Sequence, residues 1–146
     1  MADITFNIAK GRVNGYAAQV GTGNAALILV PLEATGLEAD SVLEDYDTLA
    51  ALLAGASNEQ TTMGRKTITA ATVTPDDTSD SSQSDFADQT YTNATGNPIG
   101  AFLVCFDPDT TAGTDANIVP LTKHDFPATP DGTDLLVGVN GFFRAD

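Results

Sequence analysis

The side chains with the most chemical potential in this sequence are one histidine, His124, one cysteine, Cys105, and a cluster of aspartates that includes Asp107, Asp109 and Asp115. A cysteine nucleophile needs a histidine in contact and a third group to orient it. Cys105 lies within the apolar run Gly100 to Phe106, where a free cysteine behaves as a small buried hydrophobe, so a Cys105–His124 dyad is not expected. A serine triad through His124 and Asp125 fails on geometry, because adjacent residues of a strand point to opposite faces. The Gly-x-Ser-x-Gly elbow that presents a catalytic serine is not in the sequence. Aspartates such as Asp107 and Asp109 could pair as glycosidase acids do. The chain has no tryptophan and only 7% aromatic residues, however, which leaves a sugar-stacking cleft poorly supplied. The sequence therefore predicts no enzyme.

Asp107-Pro108-Asp109-Thr110-Thr111-Ala112-Gly113-Thr114-Asp115 opens like a calcium loop, with acidic residues at its first and third positions. The pattern then departs from the EF-hand: the turn glycine is replaced by Ala112 and the bidentate glutamate by Ile118. A polar loop whose Asp and Thr side chains cap their own backbone is the preferred reading. Asp107, Asp109 and Asp115 remain only weak metal candidates, and no cofactor is expected. Gly21-Thr22-Gly23-Asn24-Ala25-Ala26 has the letters of a dinucleotide fingerprint, but an apolar strand follows it where a helix is required, so it reads as a turn.

Charge narrows the partners. Six Lys and Arg stand against 20 Asp and Glu, for a net charge of -14. Such a field repels phosphate backbones and anionic lipid surfaces, so neither nucleic acid nor membrane is expected as a partner. No Lys or Arg occurs between Lys66 and Lys123. The cations sit in three places: Lys10 with Arg12, Arg65 with Lys66, and Lys123 and Arg144 towards the end. The acidic stretches are expected to be a solvated face, and the few cations could mark contact with an acidic partner. One cysteine excludes an internal disulfide. With no basic n-region at the start, and a longest apolar run of only Ala25 to Leu32, maturation in a cytoplasm is expected.

The elements that would position these residues are mostly strands. Ile4, Phe6 and Ile8 alternate with polar residues, and Phe6, Ala9, Val13, Tyr16 and Val20 recur at helical spacing; residues 1–20 read as a short extended arm followed by a weak helix. Ala25 to Val30 reads as a buried strand that Pro31 ends or places at an edge. The strongest helix signal runs from about 41 to 54. Ser41 and Glu44 form a capping box, Val42, Tyr46, Leu49 and Leu53 a stripe, and Gly55 a left-handed cap. Thr67 to Thr69, Ala71 to Val73, Phe86 to Thr92, Gly100 to Phe106, Ile118 to Leu121, Leu135 to Val139 and Phe142-Phe143 read as short strands. Pro75 to Asp85 reads as an exposed loop, and Asn140-Gly141 as a tight turn between the last two strands. The fold class is mainly β (α+β): an antiparallel sandwich or barrel-like core with one helix, in one domain over residues 1–146, with residues 21–146 as the β-rich body.

With no chemistry favoured, recognition through strand edges and apolar patches remains. The alternating arm could add a strand to a neighbouring sheet, and Phe142-Phe143-Arg144 has the composition of an interface anchor. The partner-contact candidates are thus Ile4, Phe6, Ile8, Lys10, Arg12, Arg65, Lys66, Phe142, Phe143 and Arg144. The preferred reading of the two phenylalanines is closure of the core, with one facing in and one partly covered.

Five segments carry a resemblance: Phe6 to Val13, Leu43 to Leu53, Leu103 to Thr110, Leu121 to Phe126 and Gly141 to Ala145. In this order the chain resembles a family of small head-associated virion proteins from tailed phages of actinobacteria. The resemblance implies a capsid decoration or minor head protein with no catalytic residues to carry over. It implies the major capsid protein as partner, with a homo-oligomer such as a trimer also compatible, and the exterior of a virion assembled in the host cytoplasm as the location. Acidity suits the outside of a shell whose inside holds DNA. The alternatives are another virion part, such as a tail-tube, connector or fibre-associated module, and a calcium-dependent adhesion or carbohydrate-binding domain.

Overall fold

The structure, a computed structural model, describes residues 3–146. In chain order the strands are β1 Ile4–Thr5, β2 Ala26–Glu33, β3 Lys66–Ile68, β4 Thr72–Asp76, β5 Ser81–Asp85, β6 Gln89–Tyr91, β7 Ile99–Asp107, β8 Val119–Ala128, β9 Leu135–Val137 and β10 Phe143–Ala145. Three short helices join them: α1 Val13–Gln19, α2 Asp40–Leu43 and α3 Leu49–Leu53. The fold is mainly β with antiparallel pairing, as the strand and turn spacing predicts. A five-stranded sheet runs β1-β8-β7-β2-β3, a three-stranded sheet β10-β5-β4, and β6 pairs with β9.

The large sheet is organised by β2 and β7, which are apolar on both faces. Leu27, Leu29 and Pro31 lie opposite Phe106, Val104 and Phe102 on one face. Ile28 and Val30 lie opposite Cys105 and Leu103 on the other. The first face is covered by α1, whose Tyr16 ring lies 4.8 Å from that of Phe106, and by β6, whose Tyr91 stacks on Phe102 at 5.8 Å. Over the second face lies α2, whose Asp40 reaches Lys123, the β8 partner of Leu103. Sheets buried on both faces read as continuous apolar runs, and each large apolar side chain so enclosed contributes about 1.5–3 kcal/mol.

Pro31 neither ends β2 nor lies at an edge. Its carbonyl accepts from the Gln60 amide, and the amide and carbonyl of one strand residue point the same way. The missing N–H of Pro31 therefore faces Gln60, and the ladder to β7 loses nothing.

The helix expected over 41–54 is broken into α2 and α3. The Glu44 carbonyl, which residue 48 would claim in a continuous helix, accepts from the Asn7 amide at 2.8 Å; the Leu49 amide donates to Ile118 at 2.9 Å. Long-range backbone bonds replace two helical ones, and Thr48 begins a new helix by accepting from the Ala51 amide. The expected capping box does not form, since Ala39 is the residue ahead of α2. The buried residues are Leu43, Leu49 and Leu52, while Val42 is exposed. Gly55 is not left-handed; it is small because a Cβ there would fall against the Tyr46 hydroxyl and 2.8 Å from Glu38 Oε2.

The N-terminal arm is consumed within its own chain: β1 pairs with β8, and Phe6 is fully buried. Gly11, at φ 76°, separates a 3₁₀ turn over Asn7–Ala9 from α1. Phe6, Ala9 and Val13 of the predicted stripe are buried together, with Ala17 beside them. The polar run Pro75 to Asp85, expected as a loop, is the β4–β5 hairpin. Its turn is held by Asp76, which accepts from the Thr78 amide, and by Asp80 at φ 50°. Asn140-Gly141 does not make a hairpin, because β9 and β10 belong to different sheets.

Candidate interaction surface

β1 is one edge of the five-stranded sheet and β10 one edge of the three-stranded sheet. Between them runs a groove of about 270 Å³ lined by Asp3, Ile4, Thr5, Thr122, His124 and Gly141 to Arg144. A second hollow of about 220 Å³ shares Asp3, His124, Gly141 and Phe142 with it and continues towards Phe102 and Phe126. The two sheets are thus open at this margin. Both edge strands are short, and β1 stops at Thr5 because Phe6 turns inward to the core.

The groove floor is fixed by polar contacts. His124 Nδ1 lies 3.0 Å from Asp3 Oδ2 and its Nε2 2.9 Å from Thr122 Oγ1. A proton on Nδ1 donates to Asp3, leaving Nε2 to accept from the hydroxyl. The Asp125 amide donates to Asp3 Oδ1 at 2.9 Å. Partial burial works against the Asp3 charge, but the Asp125 amide and His124 outweigh it and hold Asp3 below the usual aspartate value. Behind the floor lies Lys123, whose side chain is 0% exposed. Its Nζ donates to Asp40 Oδ1 at 2.8 Å and lies 2.5 Å from Asp125 Oδ1. Desolvation opposes the Lys123 charge, yet the bonds to Asp125 and Asp40 prevail and raise its pKa. This buried ion cluster ties β8 to α2.

Of the sequence-predicted contacts, Ile4, Phe143 and Arg144 meet in the groove. Phe6 and Phe142 do not serve as surface anchors: both are buried, and the Phe142 ring packs 5.4 Å from that of Phe86. Ile8 is partly buried against the core. Lys10 is exposed beside Glu44 at 3.8 Å, and Arg12 is exposed. Arg65 is spent internally, its guanidinium clamped between Glu59 (Nε to Oε1, 2.7 Å) and Asp115 (Nη1 to Oδ1, 2.7 Å). The Lys66 ammonium lies 4.8 Å above the Tyr91 ring. The cations therefore do not form one patch.

The three aspartates of the loop do not converge either. Asp107 accepts from the Asp109 amide, Asp109 from the Thr111 amide and hydroxyl, and Asp115 from Arg65. Among the described residues no group of three or more His, Cys, Asp or Glu is placed to hold a metal ion. Cys105 and His124 face opposite sides of the sheet: His124 pairs with Phe102, on the face away from Cys105. Burial pushes the Cys105 thiol up.

Sequence reasoning missed the Lys123 cluster. The alternation Thr122-Lys123-His124-Asp125 places Lys123 and Asp125 on one face, which was readable; Asp40, 83 residues away, was not. No family model, curated protein or solved structure matches the chain.

Proposed function

We propose that this chain is a structural virion protein, a decoration protein that binds the outer surface of a phage head and stabilises the shell. The observation that carries this reading is the convergence of two sheet edges, β1 and β10, on one open groove at the margin of an acidic β-rich body. Strand edges offer backbone hydrogen bonds to an extended partner. Natural proteins keep such edges short or charged to avoid indiscriminate pairing; here they are short. The net charge of -14 disfavours contact with packaged DNA and suits the shell exterior. The ordered resemblance to head-associated proteins supplies the partner, the major capsid protein. Each copy contributes modest affinity, and many copies on a lattice add up through avidity.

The experiment is co-sedimentation of the purified chain with phage heads that lack it. Saturable binding at a fixed ratio to capsid subunits is expected, with heads that resist heat and osmotic shock better than bare ones. No co-sedimentation at high protein excess, or assembly of the pure chain into tubes, contradicts the proposal.

A further inference from the structure

The geometry points to the β1–β10 groove as the receptor for an extended, lysine- or arginine-bearing segment of a partner protein, which pairs its backbone with the outer edge of β1 at Thr5. The pairing register decides where that edge points. The Phe6 amide donates to the Leu121 carbonyl, so Phe6 and Leu121 form a hydrogen-bonded pair. Antiparallel pairs alternate, which makes Thr5 and Thr122 a non-hydrogen-bonded pair. The Thr5 N–H and C=O are therefore turned away from β8, towards the open margin, and have no backbone partner among the described residues. The Thr5 side chain shares a face with Thr122 and so lines the groove. Phe143, partly buried against the core, supplies an apolar wall across it.

Charge selects the occupant. Asp3 lines the groove and is exposed. The cation at this margin, Arg144, is already engaged, its Nε 2.7 Å from Asp146 Oδ1. An acidic strand meets the Asp3 carboxylate here, and a second copy of the chain brings a further net charge of -14; a basic strand meets complementary charge at Asp3 and in the acidic body around it. The inference rests on the decoration reading only for where such a segment comes from, a subunit of the shell.

The probe is a synthetic peptide of alternating valine and threonine with lysine at both ends, compared with the same peptide ending in glutamate. Titration into the isotope-labelled full chain, followed by amide chemical shifts, should move Thr5, Thr122, His124, Phe143 and Arg144. The glutamate peptide should bind about tenfold more weakly or less. Thr5→Pro removes the outward N–H without touching the β8 ladder, a position where an edge strand tolerates proline. It should weaken the lysine peptide by about tenfold, as expected for a lost backbone hydrogen bond. Arg144→Glu should tighten it, and carries the test if Thr5→Pro does not fold. Equal binding of the two peptides, shifts confined to other residues, or concentration-dependent dimerisation through this groove overturns the inference. The peptide assay uses no phage heads, so heads that bind the chain while the peptides do not would refute the groove and leave the decoration role standing.

Discussion

Lys123→Met isolates the buried ion cluster. The substitution keeps an unbranched aliphatic side chain of similar length and removes the charge that Asp40 and Asp125 share. Removing one partner of a buried ion pair costs about 3–5 kcal/mol, because the remaining charge is left uncompensated. Here the abandoned carboxylates are 24% and 27% exposed, so water screens part of the penalty and the lower end applies, about 3 kcal/mol. For a chain of this size that lowers Tm by about 10 °C, read by calorimetry or urea unfolding at neutral pH. Adding Asp40→Asn and Asp125→Asn should recover most of the loss, since a neutral polar or apolar replacement of a buried ion cluster is often nearly neutral. The pH dependence has a fixed sign. The folded pKa of Lys123 is raised, so its contribution is full below the unfolded lysine value of about 10.4 and is lost as pH rises through the folded value. A single Lys123→Met variant within about 1 kcal/mol of the parent would refute the claim that this cluster fastens β8 to α2.

Arg65→Ala should cost about 2 kcal/mol, between the exposed and buried limits, because Glu59 and Asp115 are left facing one another without their cation. The hydrogen bond from Arg65 outweighs desolvation and holds Asp115 below its usual value. The stability this supplies is present above about pH 3.9 and is lost as pH falls through the folded value, so acid unfolding of the Arg65→Ala variant should show a shallower pH dependence. Gly55→Ala and Gly15→Ala should act in opposite directions. The first drives a Cβ into the Tyr46–Glu38 contact and should cost about 1–3 kcal/mol. The second meets nothing within 4 Å in α1 and should gain about 0.5–1 kcal/mol. Cys105 should stay unreactive towards a disulfide reagent in the folded chain at pH 8 and react at once in denaturant, because burial keeps it a thiol; rapid reaction without denaturant would show that the second face of the large sheet opens.

The parts of the fold legible in the sequence are those decided locally. β2 and β7 announce themselves as apolar runs, and their pairing builds the large sheet. The misread parts are those where a distant segment captures a backbone group. Asn7 and Ile118 divide the 41–54 segment by taking its carbonyl and amide, although periodicity, capping letters and terminal glycine all favoured one helix. The Pro75 to Asp85 segment lacks apolar residues, yet its backbone pairs as a hairpin, and β5 pairs in turn with β10. On the groove, composition named Ile4, Phe143 and Arg144 as contact candidates from two separate segments without bringing them together, and it did not say which phenylalanine faces in: Phe142 is buried against Phe86, and Phe143 is half covered. Nor could it tell that Phe6 turns into the core and leaves Thr5 as the outward residue of the arm.

The central claim is that this chain is held on a shell exterior through the open margin between β1 and β10. Imaging an intact particle at side-chain resolution tests it most directly. The account predicts density for the chain outside the head, with a strand of a shell subunit lying along Thr5 and the Phe143 and Arg144 side chains. Density for the chain inside the head against DNA, within the tail, or on the exterior with this margin facing solvent, would contradict it.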